Sequence, residues 1–217
     1  MTEYPGVSGE EAVIVLQDEW LAERALVRDG VVYFTMDTVK NYMEDRFYFN
    51  LEEMVLKYTL PEQIHTVYLD VAPSVLYVTV PDGWQQSATE DCGYPLAFYE
   101  NETLYIAADY VNNYCGMTYT LYGQPYRVQV YTHSDEITTA TIKKNTAVRK
   151  LGGIKSPILT DLAKGDTVVV LSQMETWSEV KTQDGIIGYV ENKYLDNIAE
   201  TLRQETADYA DPLWPEI

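Results

Sequence analysis

The sequence predicts an α+β N-terminal domain with an internal repeat, an antiparallel sheet plus short helices, followed by a small all-β barrel. Three observations carry this. Residues 25–47 and 97–119 align without a gap at an offset of 72. Charge breaks near residue 138: residues 1–137 carry 6 Lys and Arg against 22 Asp and Glu, whereas residues 138–198 carry 8 against 7. Beyond the break, short apolar runs and turn residues alternate at the spacing of barrel strands. The expected domains are therefore 10–136 and 138–196, with 199–217 as a linker that begins with a helical stretch.

The repeat reads "ALVRDGVVYFTMDTVKNYMEDRF" over "AFYENETLYIAADYVNNYCGMTY". Tyr33 meets Tyr105, Asp37 meets Asp109, Asn41 meets Asn113 and Tyr42 meets Tyr114. Each copy predicts a strand, a polar turn, a second apolar strand and a short helix. Asp37 and Asp109 fall at the helix starts, where a carboxylate accepts backbone N–H bonds and meets the positive end of the dipole. That reading outweighs a catalytic pair, which needs two carboxylates facing one pocket. Between the copies, "DRFYFNLEEMVLKYTL", "HTVYLDV" and "SVLYVTV" predict further strands, and 81–95 predicts a loop. "PYRVQVYT", 125–132, closes the region as a strand.

In the second domain "TATIKKN", "TAVRKL", "DTVVVLSQ", "WSEVKT", "GIIGYVE" and a final "YL" predict about six strands. Asp184-Gly185 predicts a tight hairpin turn. Gly188 predicts a close backbone approach or a bulge.

Composition limits function. The net charge of −19 excludes nucleic acid as a partner, because phosphate binding needs clustered Lys and Arg. No run approaches the roughly 18 apolar residues of a membrane span, and no basic, apolar leader opens the sequence. Tyrosine, at 19 against 4 Phe, suits half-wet antiparallel sheets and sugar-contacting surfaces. Cys92 and Cys115 are too few for a disulfide scaffold and are either free or joined in one bridge. Cys115 and His133 offer a thiol and a base for a nucleophile pair, but Cys115 aligns with Met43 in the repeat, which favours packing. His65 and His133 are too isolated for a metal site. Catalytic residues, metal ligands and cofactors are therefore expected to be none. The expected ligand-contacting residues are Trp177 and Tyr189 of the barrel, Lys155 and Ser156 in the loop "LGGIKSPIL" (151–159), and Trp84, an aromatic in a polar loop that either stacks on a sugar or packs back as a lid.

"TAVRKLGG" (146–153), "LAKGDTVVVL" (162–171) and "WSEVKTQDGIIGYVENKYL" (177–195) resemble, in combination, the bacterial SH3-like (SH3b) family. This resemblance covers nearly all of 138–196. It implies a β-barrel that binds cell-wall peptides or glycans, often beside a hydrolase. "VVYFTMDTVKNY" and "TLYIAADYVNNY" resemble the repeats of the copper amine oxidase N-terminal-like stalk family, with no copper implied. The longer string "DRFYFNLEEMVLKYTLP", with "TLYIAADYVNNY" and "VRKLGGIKSPIL", is similar to the non-catalytic N-terminal region of family 18 glycoside hydrolases from Gram-positive bacteria. The Asp-x-x-Asp-x-Asp-x-Glu string of that catalytic domain is missing here, and Asp208-Tyr-Ala-Asp211 lacks its remainder. The resemblance implies a non-catalytic targeting and spacer region that is extracellular or cell-surface anchored. Its partners would be peptidoglycan or a related glycan and a downstream catalytic domain. The alternative is a module that packs on that catalytic domain and shapes its cleft without a ligand of its own.

Overall fold

The computed structural model describes residues 7–80, 85–123, 125–133 and 135–203. In chain order the elements are β1 (Glu11–Leu16), β2 (Glu19–Arg28), β3 (Val31–Thr35), α1 (Met36–Tyr42), β4 (Phe47–Asn50), β5 (Val55–Thr59), β6 (Ile64–Tyr68), β7 (Ala72–Val80), β8 (Gln85–Ala88), β9 (Ala97–Glu100), β10 (Thr103–Ala107), α2 (Ala108–Cys115), β11 (Thr118–Tyr122), β12 (Arg127–Tyr131), β13 (Glu136–Ile142), β14 (Thr146–Arg149), β15 (Ile158–Leu162), β16 (Thr167–Gln173), β17 (Trp177–Lys181), β18 (Ile187–Glu191) and β19 (Leu195–Leu202). The protein is mostly β. Its contacts divide the described residues into two compact units, one holding Val13–Leu21 and residues 119–203, the other Ser8–Ala12 and Ala22–Thr118. The boundary expected near residue 138 falls inside the first unit.

In the second unit β3 and β10 pair antiparallel, with Phe34 opposite Ile106. β2 flanks β3, and β9 flanks β10. Phe34 and Ile106 are fully buried, as alternation in a sheet with one covered face requires. Both strands run straight into helices, α1 and α2. Arg28 donates to Glu100 at 3.0 Å and to Glu10 at 2.9 Å, and its guanidinium lies over the Phe98 ring. A separate meander, β4-β5-β6-β7-β8, follows the pleated apolar pattern of residues 47–80. Phe47, Tyr58, Tyr110 and Tyr114 pack edge to face or stacked, which is where part of the tyrosine excess goes.

Three expectations are corrected. Asp37 and Asp109 lie in the first helical turns, but neither caps. Thr35 caps α1 by accepting from the Thr38 N–H at 3.2 Å, and α2 has Ala107 at its N-cap, with no side-chain cap. A hydroxyl at the N-cap reaches the free N–H groups that the first-turn carboxylate does not. Thr35→Ala is expected to cost about 1 kcal/mol, read as a lower urea midpoint. Within 81–95, residues 85–88 form β8, an exposed polar edge strand paired to β7. Residues 199–202 continue β19 against β13, where ladder bonds override the helical propensity of Ala, Glu and Leu. The tight hairpin turn expected at Asp184-Gly185 is present: the Thr182 N–H donates to the Ile186 carbonyl at 2.9 Å and the Gly185 N–H to the Thr182 carbonyl at 3.1 Å, and Gly185 supplies left-handed backbone at φ 83°. Cys92 and Cys115 are both free, and burial raises both thiol pKa values, which disfavours a nucleophilic thiolate.

The first unit carries a barrel-like sheet in the order β15-β14-β18-β17-β16-β13-β19. Ala140, Ile142, Val148, Val168, Val180 and Val190 fill its core. β12 and β1 pair in parallel, with Val13 opposite Arg127.

Candidate functional site

The hairpin β17–β18 alternates in and out of the barrel core. Ser178, Val180 and Val190 point inward and are fully buried. The opposite face carries Trp177, Glu179 and Lys181 on β17, set against Glu191, Tyr189 and Ile187 on β18. Residues directly across an antiparallel pair share a face. β14 adds Arg149, directly opposite Tyr189. Trp177, Glu179, Tyr189 and Arg149 thus share one half-buried outer face.

Gly188 allows this arrangement. A Cβ there would lie 2.6 Å from the Arg149 carbonyl oxygen and 2.6 Å from a Val148 methyl group. The close approach expected from the sequence is present, and it lets β14 bring Arg149 beside Tyr189.

The loop at 151–156 closes the Trp177 end of the face. A Cβ on Gly152 would meet the Trp177 ring at 3.2 Å, so the loop backbone lies against the indole. Ser156 accepts at Oγ from the Leu151 N–H at 2.7 Å, and its carbonyl accepts from Arg149 Nη1 at 2.8 Å. Ser156 therefore holds the loop and orients the guanidinium. Lys155 is exposed beside it. Trp84 lies outside the described residues. Burial and the neighbouring Glu179 carboxylate raise the Tyr189 pKa, so the phenol stays protonated at neutral pH. Aromatic rings, a guanidinium, carboxylates and a phenol on one shallow face suit hydrogen bonding and stacking with a polar, ring-bearing or peptidic ligand.

Sequence reasoning missed the other end of this face, which is buried. Ile187 packs with Val13, Val15, Trp20 and Leu171. Lys181 Nζ bonds Asp18 Oδ1 at 2.6 Å and Gln129 Oε1 at 2.7 Å, and also contacts the Tyr131 hydroxyl. Arg203 bonds Asp18 Oδ2 at 2.6 Å and Asp135 Oδ1 at 2.7 Å, with its guanidinium over the Tyr131 ring. Burial opposes the Asp18 charge, but hydrogen bonds from Arg203 and the Lys181 charge outweigh it and hold the carboxyl below its usual value. Burial lowers the Lys181 pKa against the attraction of Asp18. The hairpin turn is tied down as well, since Arg127 Nε donates to the Asp184 carbonyl at 2.8 Å and Gln129 Nε2 to the Gln183 carbonyl at 2.8 Å.

In the second unit His65 is buried between the Tyr114 hydroxyl, 2.8 Å from Nδ1, and the Gln63 side-chain oxygen, 2.9 Å from Nε2. Burial lowers its pKa, so the ring is a neutral structural bridge. The His133 ring contacts the Thr132 hydroxyl.

Compared with known families, residues 144–196 match the family model described as Bacterial SH3 domain. No curated protein matches the chain. The matched span runs from the turn before β14 to the start of β19 and contains Arg149, Lys155, Ser156, Trp177 and Tyr189. Residues 144–196 are a bacterial SH3 domain.

Proposed function

We propose that the chain is a non-catalytic wall-targeting and spacer region whose SH3 domain holds cell-wall peptidoglycan or a related glycan. The observation that carries this reading is the shared outer face of Trp177, Tyr189 and Arg149 on a domain type that commonly binds cell-wall material. Trp177 and Tyr189 supply stacking area, Arg149 a planar donor fork, and the Ser156 loop its orientation. In the same reading the region belongs to an extracellular or surface-anchored, Gram-positive family 18 glycoside hydrolase-like protein. The two β–β–α runs, β2-β3-α1 and β9-β10-α2, would then be copies of one stalk repeat. Their support is that Phe34 lies opposite Ile106 and Arg28 pairs with Glu100, both at the offset of 72.

The test is sedimentation of the full chain with insoluble peptidoglycan, with chitin in parallel. Trp177→Ala with Tyr189→Ala is expected to lower wall binding by at least about tenfold, as for loss of two aromatic anchors. Both positions lie on the outer face and not in the barrel core, and an unaltered circular dichroism spectrum of the double variant checks that the fold is retained. Retention of binding by the double variant would remove this face as the site. Turnover of either polymer would overturn the non-catalytic reading.

A further inference from the structure

The sheet of the first unit forks. β13 pairs with β16 only as far as Thr139 opposite Val169. Before that point Glu136–Thr138 pairs only with β19, opposite Leu202, Thr201 and Glu200. β16 meanwhile runs on through Val170–Gln173 with only β17 beside it. Among the described residues no strand pairs with its other side. In an antiparallel ladder alternate residues direct their N–H and C=O away from a given neighbour. This edge therefore presents unpaired backbone groups, the arrangement that strand addition exploits.

The fork is also a groove, of about 660 Å³. Trp20, Leu171 and Ile187 give it an apolar floor. Leu171 is the bulged residue of β16, between Val170 opposite Val180 and Ser172 opposite Glu179. Glu19, Glu136 and Glu179 stand on the lining. Asp18 and Asp135 also line it, but Lys181 and Arg203 pair with them. The three glutamates have no cationic partner among the described residues, so the groove carries an uncompensated negative charge beside its open edge.

We propose that this fork is a second binding site, which takes an extended cationic peptide as an added strand along Val170–Gln173. Alternate side chains of such a strand point to opposite faces. The outward set would lie on Trp20, Leu171 and Ile187 and reach Glu179, which shares the outer face with Ile187, and ammonium or guanidinium groups of the strand would meet Glu19 and Glu136 along the groove. The ligand is thus an extended peptide that combines apolar with basic residues. The site uses neither Trp177 nor Tyr189, although Glu179 borders both faces, and it does not rest on the wall-binding reading.

The test is an NMR titration of the full chain with an acetylated, amidated peptide of alternating Lys and Val. Two control peptides accompany it, one with Glu for Lys and one N-methylated along the backbone edge that would face β16. The Lys peptide is expected to shift the amides of Val170–Gln173. It should bind about tenfold more tightly than the Glu peptide, as three rim charges would give, and N-methylation should abolish binding. Glu136→Gln should weaken the Lys peptide severalfold and leave peptidoglycan sedimentation unchanged. Equal binding of the N-methylated peptide, shifts confined to the Trp177 and Tyr189 face, or no shifts at all would overturn the proposal. Loss of wall sedimentation with these shifts intact would instead refute only the function proposed above.

Discussion

Asp18→Asn is expected to lower stability by about 3–5 kcal/mol, the usual consequence of removing one partner of a buried ionic group. Asp18 is 4% exposed, Lys181 4% and Arg203 8%. The asparagine would keep the shape but leave two buried cations with only the Asp135 carboxylate, which Arg203 already uses. Lys181→Met is expected to cost far less, under about 1.5 kcal/mol, because it deletes a charge that burial already disfavours and leaves Asp18 with Arg203. A role limited to packing would give the two variants similar losses. The pH dependence sharpens the test. The folded carboxyl pKa of Asp18 lies below its unfolded value of 3.8. Its contribution is therefore present above 3.8 and is lost as pH falls through the folded value. Urea midpoints measured on the acid side should fall less steeply in Asp18→Asn than in the unaltered protein. An equally steep acid limb would show that Asp18 is not a principal titrating anchor.

How legible this was from sequence depends on the range of the signal. Asp184-Gly185 signals a hairpin between "WSEVKT" and "GIIGYV", and β17 and β18 do pair there; Val180 is core and Trp177 half-buried. Gly188 was legible because a glycine between apolar strand residues signals a close approach. Trp177 and Tyr189 were separately recognisable as aromatics, but only the register places them with Arg149. The buried ionic group gave no local sign. Lys181 sits in an ordinary polar–apolar alternation, and its carboxylate partner is 163 positions away in sequence. The parallel pairing of β1 with β12 is equally silent, because strands so far apart share no turn. That pairing and the Asp18 contacts place Val13–Leu21 in the same compact unit as the SH3 segment. A cut at 138 would remove Val13, Val15, Asp18, Gln129 and Tyr131 from around Ile187 and Lys181. The misread tail has a physical reason too. "AETL" favours helix by composition, but its backbone bonds are supplied by Glu136–Thr139. β8, "QQSA", has no apolar alternation to betray it because all four residues are exposed.

Gly188→Ala is expected to cost about 3 kcal/mol or more and to weaken wall binding with it. Its backbone is not in the left-handed region, so the cost is steric. The new methyl would meet the Arg149 carbonyl oxygen and a Val148 methyl group, each at 2.6 Å, and Leu159 at 3.0 Å. A flexible side chain can turn away, but a strand carbonyl can yield only if β14 separates from β18. Overpacking of cores commonly costs about 1–3 kcal/mol, and a backbone obstacle puts this site at or above the upper end. Separation would also disturb the register of Arg149 opposite Tyr189. The loss of stability should therefore be accompanied by reduced peptidoglycan sedimentation of whatever protein remains folded. Gly153→Ala is the control: no atom lies within 4 Å of its added Cβ, and a change within about 0.5 kcal/mol is expected. Thermal midpoints of the two variants decide the matter. At about 4–8 °C per kcal/mol for a unit of roughly 100 residues, Gly188→Ala should melt more than 10 °C below Gly153→Ala. Equal midpoints would mean that β14 and β18 can move apart freely. In that case the half-buried aromatic face would not be fixed by the strand register on which the binding reading depends.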